Sequence, residues 1–105
     1  MISEEIINKA VSRIAAAAPA SKVILFGSCA RGEAHHDSDL DFLVVEPQVE
    51  NRGMEMVRLR NAIGSVGVGV DILVFSSNQA EERSRFPGDV VYWAYKEGRV
   101  VYEGA

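Results

Sequence analysis

Lys22-Val23-Ile24-Leu25-Phe26-Gly27-Ser28 is followed, after ten intervening residues, by Asp39-Leu40-Asp41-Phe42-Leu43-Val44-Val45. The first run is short, β-branched and aromatic, and it stops at Gly27-Ser28, as a buried strand does. Residues 40–45 form a second such run, closed by Glu46-Pro47. Upstream, Ile2, Ile6, Ala10, Val11, Ile14 and Ala18 lie on one stripe of an amphipathic helix. Ser3 can cap that helix, Glu4 and Glu5 suit its positive end, and Pro19 ends it. Between the strands, Cys29-Ala30-Arg31 looks like the opening of a short helix, and 33–38 reads as a polar loop.

Downstream, Met56, Leu59, Ala62 and Ile63 predict a helix over 53–63. A third strand is expected over 67–75, with Val68, Val70, Ile72 and Val74 on one face. Asn78 and Glu81 have the spacing of a capping box that would start a short helix. Pro87 suits a helix start, and Phe86, Val90, Trp93 and Ala94 suggest the next apolar stripe. Gly98 ends that helix, and Arg99–Glu103 can form a last strand. Alternating helices and strands imply an α/β or α+β sandwich, a small sheet covered by helices. From the pattern alone the sheet is either parallel or mixed.

The chain has 105 residues, so one domain spanning 1–105 is expected. Its 48% hydrophobic and 25% charged residues are those of a folded globular protein rather than a disordered one. With 15 acidic against 11 basic residues the net charge is −4, which disfavours an extended nucleic acid as partner. A nucleotide held through a metal is compatible with that balance. The single cysteine, Cys29, excludes an internal disulfide. The acidic opening is unlike a signal peptide, and no apolar run approaches the ~20 residues of a membrane span, so a cytoplasmic location without membrane contact is expected.

Three features carry chemistry. Gly27-Ser28, between a strand and a helix start, can bring backbone amides close to phosphate, although an ordinary tight turn uses the same pair. Asp39 and Asp41 share one face of a strand, with origins about 6.6 Å apart. If both are ionised they repel by about 2–3 kcal/mol at an effective dielectric of 20. A cation between them relieves this; an exposed strand end with solvated carboxylates is the plain alternative. Asp71 stands inside Val70-Asp71-Ile72-Leu73-Val74, where a buried acid is costly unless paired or ligating a metal. Gly67 and Gly69 leave its face bare; a charge guarding an edge strand is the other reading. If the strands bearing Asp41 and Asp71 are neighbours, Asp39, Asp41 and Asp71 form a carboxylate triangle. Such a triangle suits two magnesium ions, or manganese, and in-line phosphoryl or nucleotidyl displacement.

Other sites fail on spacing. Gly27 and Gly32 match a Walker loop, but Glu33-Ala34 replaces its Lys-Ser/Thr. Gly64, Gly67 and Gly69 precede a strand, unlike a dinucleotide fingerprint. A calcium loop from Asp37, Asp39 and Asp41 fails at Phe42 and Gln48, and a phosphatase loop from Cys29 fails at His35. Cys29 is expected to be packed and inert, and His35 and His36 solvated. Tyr92, Trp93 and Tyr95 are expected in a core or interface. Arg52, Arg58 and Arg60 are read as a solvated helix face.

The combined pattern resembles the nucleotidyltransferase superfamily of DNA polymerase β, and more closely its minimal nucleotidyltransferase branch. That branch carries Gly-Ser-x-Ala-Arg-Gly and then Ser-Asp-x-Asp, here Gly27-Ser28-Cys29-Ala30-Arg31-Gly32 and Ser38-Asp39-Leu40-Asp41. The resemblance implies a polymerase-β-like fold with a small mixed sheet of about four strands. It implies that Asp39, Asp41 and Asp71 are catalytic and ligate two Mg2+ ions, or Mn2+, with Asp71 also a candidate base for the acceptor hydroxyl. Gly27, Ser28, Arg31 and Ser38 would bind the nucleotide, Arg31 either touching phosphate or pinning the loop.

The activity so implied is transfer of NMP, AMP from ATP, to an acceptor hydroxyl. In the branch the companion is a helical HEPN-domain protein, the nucleotidyltransferase being the antitoxin of a toxin–antitoxin pair. Two alternatives stand beside it: an antitoxin or scaffold that acts by binding alone, and transfer to a small molecule such as an aminoglycoside.

Overall fold

The computed structural model describes residues 3–27, 30 and 39–104. In chain order the elements are α1 (Glu4–Ala17), β1 (Lys22–Phe26), β2 (Leu40–Glu46), α2 (Arg52–Ile63), β3 (Val70–Ser76), α3 (Ser77–Arg83), α4 (Val90–Glu97) and β4 (Arg99–Glu103). The short apolar runs hydrogen-bond into one sheet of order β3-β2-β1-β4. β1 is antiparallel to both β2 and β4, whereas β2 and β3 are parallel. A parallel pair needs a crossover, and α2 supplies it. The sheet is therefore mixed, and the fold is the α+β arrangement expected from the resemblance.

Side-chain alternation splits the sheet into two buried faces. Val23, Leu25, Leu40, Phe42, Val44, Ile72 and Val74 pack with Ile7, Ala10, Val11 and Ile14 of α1 and with Leu59 and Ile63 of α2. Ile24, Leu43, Val45 and Phe75 pack on the opposite face against Ala80 of α3 and Val91 and Ala94 of α4. Asp39 and Asp41 share the face of Leu43 and Val45 but precede them in the chain. At that end of the sheet the second face carries carboxylates instead of core.

Several boundaries differ from the sequence reading. α1 is capped by Ser3, whose hydroxyl accepts from the Ile6 N–H, but Ile7 is the buried member of its stripe and Ile6 only half so. β3 starts at Val70, because the chain from Gly64 through Gly67 turns with two positive-φ glycines before it can extend. The capping box is Ser76 with Gln79, not Asn78 with Glu81, since β3 runs straight into α3 at Ser76–Ser77. α4 is capped by Asp89, which accepts from the Val91 N–H at 2.9 Å, so Pro87 lies before the cap. The buried stripe is Val91 and Ala94, while Phe86, Val90 and Trp93 are exposed. Trp93 Nε1 donates to the Pro87 carbonyl at 2.8 Å, holding the indole over the turn rather than in the core. Among the described residues no helix is long and apolar enough to cross a membrane.

Candidate active site

β1 runs out at Phe26 and the chain turns at Gly27, whose φ of 75° lies in the region that side chains disfavour. The register pairs Phe26 with Asp41 across β1 and β2, which sets this turn beside the Asp41 carboxylate. A methyl built on Gly27 would overlap Asp41 Oδ2 and stand 3.3 Å from its Cγ. Glycine here serves both the turn and the close approach.

On the other side of β2 the parallel register pairs Asp41 with Asp71. Neighbouring strands lie about 4.8 Å apart, and directly paired residues point to the same face. The two carboxylates thus leave the sheet side by side. Asp39 precedes β2 by one residue, and the next residue anchors it: the Leu40 N–H donates to the Gly69 carbonyl at 2.9 Å. Asp39 leans over Gly69, where a methyl would overlap its Oδ1 and stand 2.8 Å from its Cγ.

Exposure corrects one expectation. Asp71 is exposed rather than buried, because β3 is an edge strand and Asp71 is its second residue. Water solvates its charge, so burial alone imposes no partner on it. The position opposite Asp41 is what makes it notable. Among the described residues no three His, Cys, Asp or Glu side chains close around one point, with Asp41 leaning to Gly27 and Asp39 to Gly69. Ser28, Cys29, Arg31, His35, His36 and Ser38 lie outside the described residues.

A second acidic group, which the sequence reading missed, occupies the opposite end of β2. Glu46 leaves the strand with its Oε2 buried and without a hydrogen-bond donor. Burial and a carboxyl–carboxylate hydrogen bond to Glu55 push its pKa up to about 7. Glu55 is held down at about 2 by Arg58, and then by Glu46. Arg58 Nε and one terminal nitrogen each donate to Glu55 at 2.7 Å, and the other donates to the Ala17 carbonyl at 2.9 Å. The available signal was the i,i+3 spacing of Glu55 and Arg58. Arg52 is likewise no solvated side chain: its Nε donates to the Val74 carbonyl at 2.6 Å, and its guanidinium lies 3.9 Å from the Phe75 ring centre.

Residues 5–101 match the model of the nucleotidyltransferase domain family. The chain belongs to that family. Among solved structures, this nucleotidyltransferase is 31% identical to a provisionally named minimal nucleotidyltransferase, with a TM-score of 0.64 over 94% of this chain and 95% of that one. A provisionally named nucleotidyltransferase from Sulfolobus solfataricus shares the fold at 22% identity and a TM-score of 0.65, over 94% of this chain and 78% of the other. A toxin–antitoxin structure with AMP-PNP shares it at 19% identity and a TM-score of 0.60, over 91% and 72%. No curated protein sequence matches the chain. The family implies a nucleotide substrate, and the fold places the register pair of acids on a sheet face next to a glycine turn.

Proposed function

We propose that this nucleotidyltransferase transfers AMP from ATP to a hydroxyl on a partner protein, with Mg2+, as the antitoxin of a toxin–antitoxin pair. The observation that supports the chemistry most directly is the pairing of Asp41 with Asp71 beside the positive-φ turn at Gly27. The partner and the adenine nucleotide are suggested by the solved relative with AMP-PNP, which is a toxin–antitoxin complex, and by the resemblance to the minimal branch. A helical HEPN-domain protein is the partner this reading expects.

Asp39, Asp41 and Asp71 fit a divalent ion in donor chemistry, offering only oxygen on one face, although in this structure the three carboxylates do not converge on one point. These three would hold it. Bound there, a divalent ion supplies charge neutralisation for the triphosphate and polarisation of the α-phosphate. Gly27, Ser28, Arg31 and Ser38 would hold the triphosphate. Asp71 would take the proton as the acceptor oxygen bonds to the α-phosphorus and the bond to pyrophosphate breaks. The products are the AMP-bearing acceptor and pyrophosphate.

The test uses ATP labelled on the α-phosphate, Mg2+ and a lysate of the source cells, comparing wild type with Asp39→Asn/Asp41→Asn. A protein band labelled only by wild type is expected. Label on a small molecule would move the acceptor to that class. No transfer, with one partner captured equally by both forms, would replace the enzyme by a binding-only antitoxin.

A further inference from the structure

We propose that the base of the incoming nucleotide lies on the ring of Phe26, at the open end of the sheet face that carries Asp41 and Asp71. The inference rests on the proposed nucleotidyl transfer and names the part of the chain that would recognise the nucleoside.

Phe26, Asp41 and Asp71 form one row across three strands, because Phe26 pairs with Asp41 and Asp41 with Asp71. Paired residues share a face and stand about 5 Å apart, so the ring lies beside Asp41 on the side away from Asp71. One row further along the same face the sheet is closed: Ile24 is 3% exposed and Leu43 0%, packed with residues of α3 and α4. Phe26 and Leu73 pack on the edge of that core and remain half-buried. The helices stop one row short of the acids and leave an aromatic ring at the boundary.

α4 supplies a wall. Its Val91 and Ala94 are buried against the sheet, and Tyr95, on one flank, has Lys22 Nζ 5.6 Å from its ring centre at the start of β1. The other flank, with Val90 and Trp93, is therefore turned toward the end of β1 where Phe26 stands. Both residues are exposed, and the bond from the Trp93 indole to the Pro87 carbonyl fixes its orientation. A base stacked on Phe26 would meet this flank on its other side.

Charge makes such a contact useful. The carboxylates of Asp41 and Asp71 attract no triphosphate, and the chain carries a net charge of −4. A planar base gains from an aromatic face and an apolar wall whatever the charge around it. Phe26 directly precedes Gly27, so the base would lie one residue from the turn that would hold the phosphates. The acceptor would come from the opposite side of Asp41, where Asp71 takes its proton.

The test measures binding of α,β-methylene-ATP and of tripolyphosphate, each with Mg2+, to the purified full chain by titration calorimetry, beside thermal unfolding of each variant. Phe26→Leu keeps an apolar side chain at the core edge; it should weaken the nucleotide about 5–100-fold and leave tripolyphosphate unchanged. Phe26→Tyr keeps a ring and should bind both like wild type. Ile24→Val, in the closed core beside Phe26, should lower the melting temperature without changing nucleotide affinity. Trp93 is the single tryptophan of the chain, so its emission should respond to the nucleotide and not to tripolyphosphate. Equal weakening of both ligands by Phe26→Leu would make Phe26 a support of the turn. Unchanged nucleotide affinity in that variant, or Trp93 emission indifferent to the nucleotide, would place the base elsewhere. Each of these results overturns the inference and leaves the proposed transfer intact. No nucleotide binding by wild type would overturn the proposed function, and this inference with it.

Discussion

Asp41 and Asp71 are paired residues of adjacent parallel strands, so their carboxylates leave the same face of the sheet one strand spacing apart. Two like charges so placed repel one another. Under the proposed function both acids serve chemistry rather than stability. Removing either should therefore separate the two properties.

Asp71→Asn should lower nucleotidyl transfer by about 10²–10⁴-fold, the range for loss of a positioned base. Its melting temperature in the absence of divalent ions should be unchanged or slightly higher, because one member of a like-charged pair is gone. Labelled-nucleotide assays beside thermal unfolding check both. A fall in melting temperature equal to that of a core substitution would mean that Asp71 is structural.

Gly27→Ala combines two penalties, one of backbone conformation and one of space. The left-handed conformation costs a side chain about 1–2 kcal/mol, and the added methyl meets Asp41. Urea unfolding should show the first loss and nucleotide binding the second. A variant as stable as wild type would show that the turn can relax to negative φ.

The Glu46–Glu55 pair makes stability depend on pH in two opposite directions. Glu46 titrates near 7 when folded against about 4.5 as an ordinary carboxyl, so the folded state keeps a proton that the unfolded chain has lost. Stability from this group is full below 4.5 and is lost as pH rises through 7. Glu55, held near 2, contributes stability above 4.5 that is lost as pH falls toward 2. The pair is thus most favourable near pH 4.5. Glu46→Gln supplies a permanent donor to Glu55 and should remove the alkaline limb, raising the melting temperature at pH 8 more than at pH 5. Equal shifts at both values would refute proton sharing.

Arg52→Ala should destabilise the chain by about 1–3 kcal/mol, because it leaves the carbonyl of the fully buried Val74 without its partner. It also uncovers the face of Phe75. Arg60→Ala, on the exposed side of the same helix, should change stability by less than about 0.5 kcal/mol. Denaturant midpoints of the two variants provide the comparison.

What was legible in the chain follows from the range of the interactions that write it. The bounds of β1 and β4, the Ser3 cap, the Gly98 stop and the shared face of Asp39 and Asp41 are set by residues within a few positions of one another. The rotation of α4 was not legible. Val90, Val91 and Trp93 are all apolar, and only the sheet that α4 meets selects Val91. Arg52 and Glu46 were misread or missed for a related reason: their partners, the Val74 carbonyl and Glu55, come from other elements.

The sequence by itself determined the types of most elements, the strand faces and the family pattern of Gly27-Ser28 and Asp39-Leu40-Asp41, because local sterics and side-chain periodicity act along the chain. Only the tertiary structure decided that β2 lies beside β3 in the register that pairs Asp41 with Asp71, and that Gly69 lies under Asp39. Those placements depend on how α2 carries the chain over the sheet and on which hydrophobic faces must close together. Segments distant in sequence settle that jointly, and no single stretch encodes it.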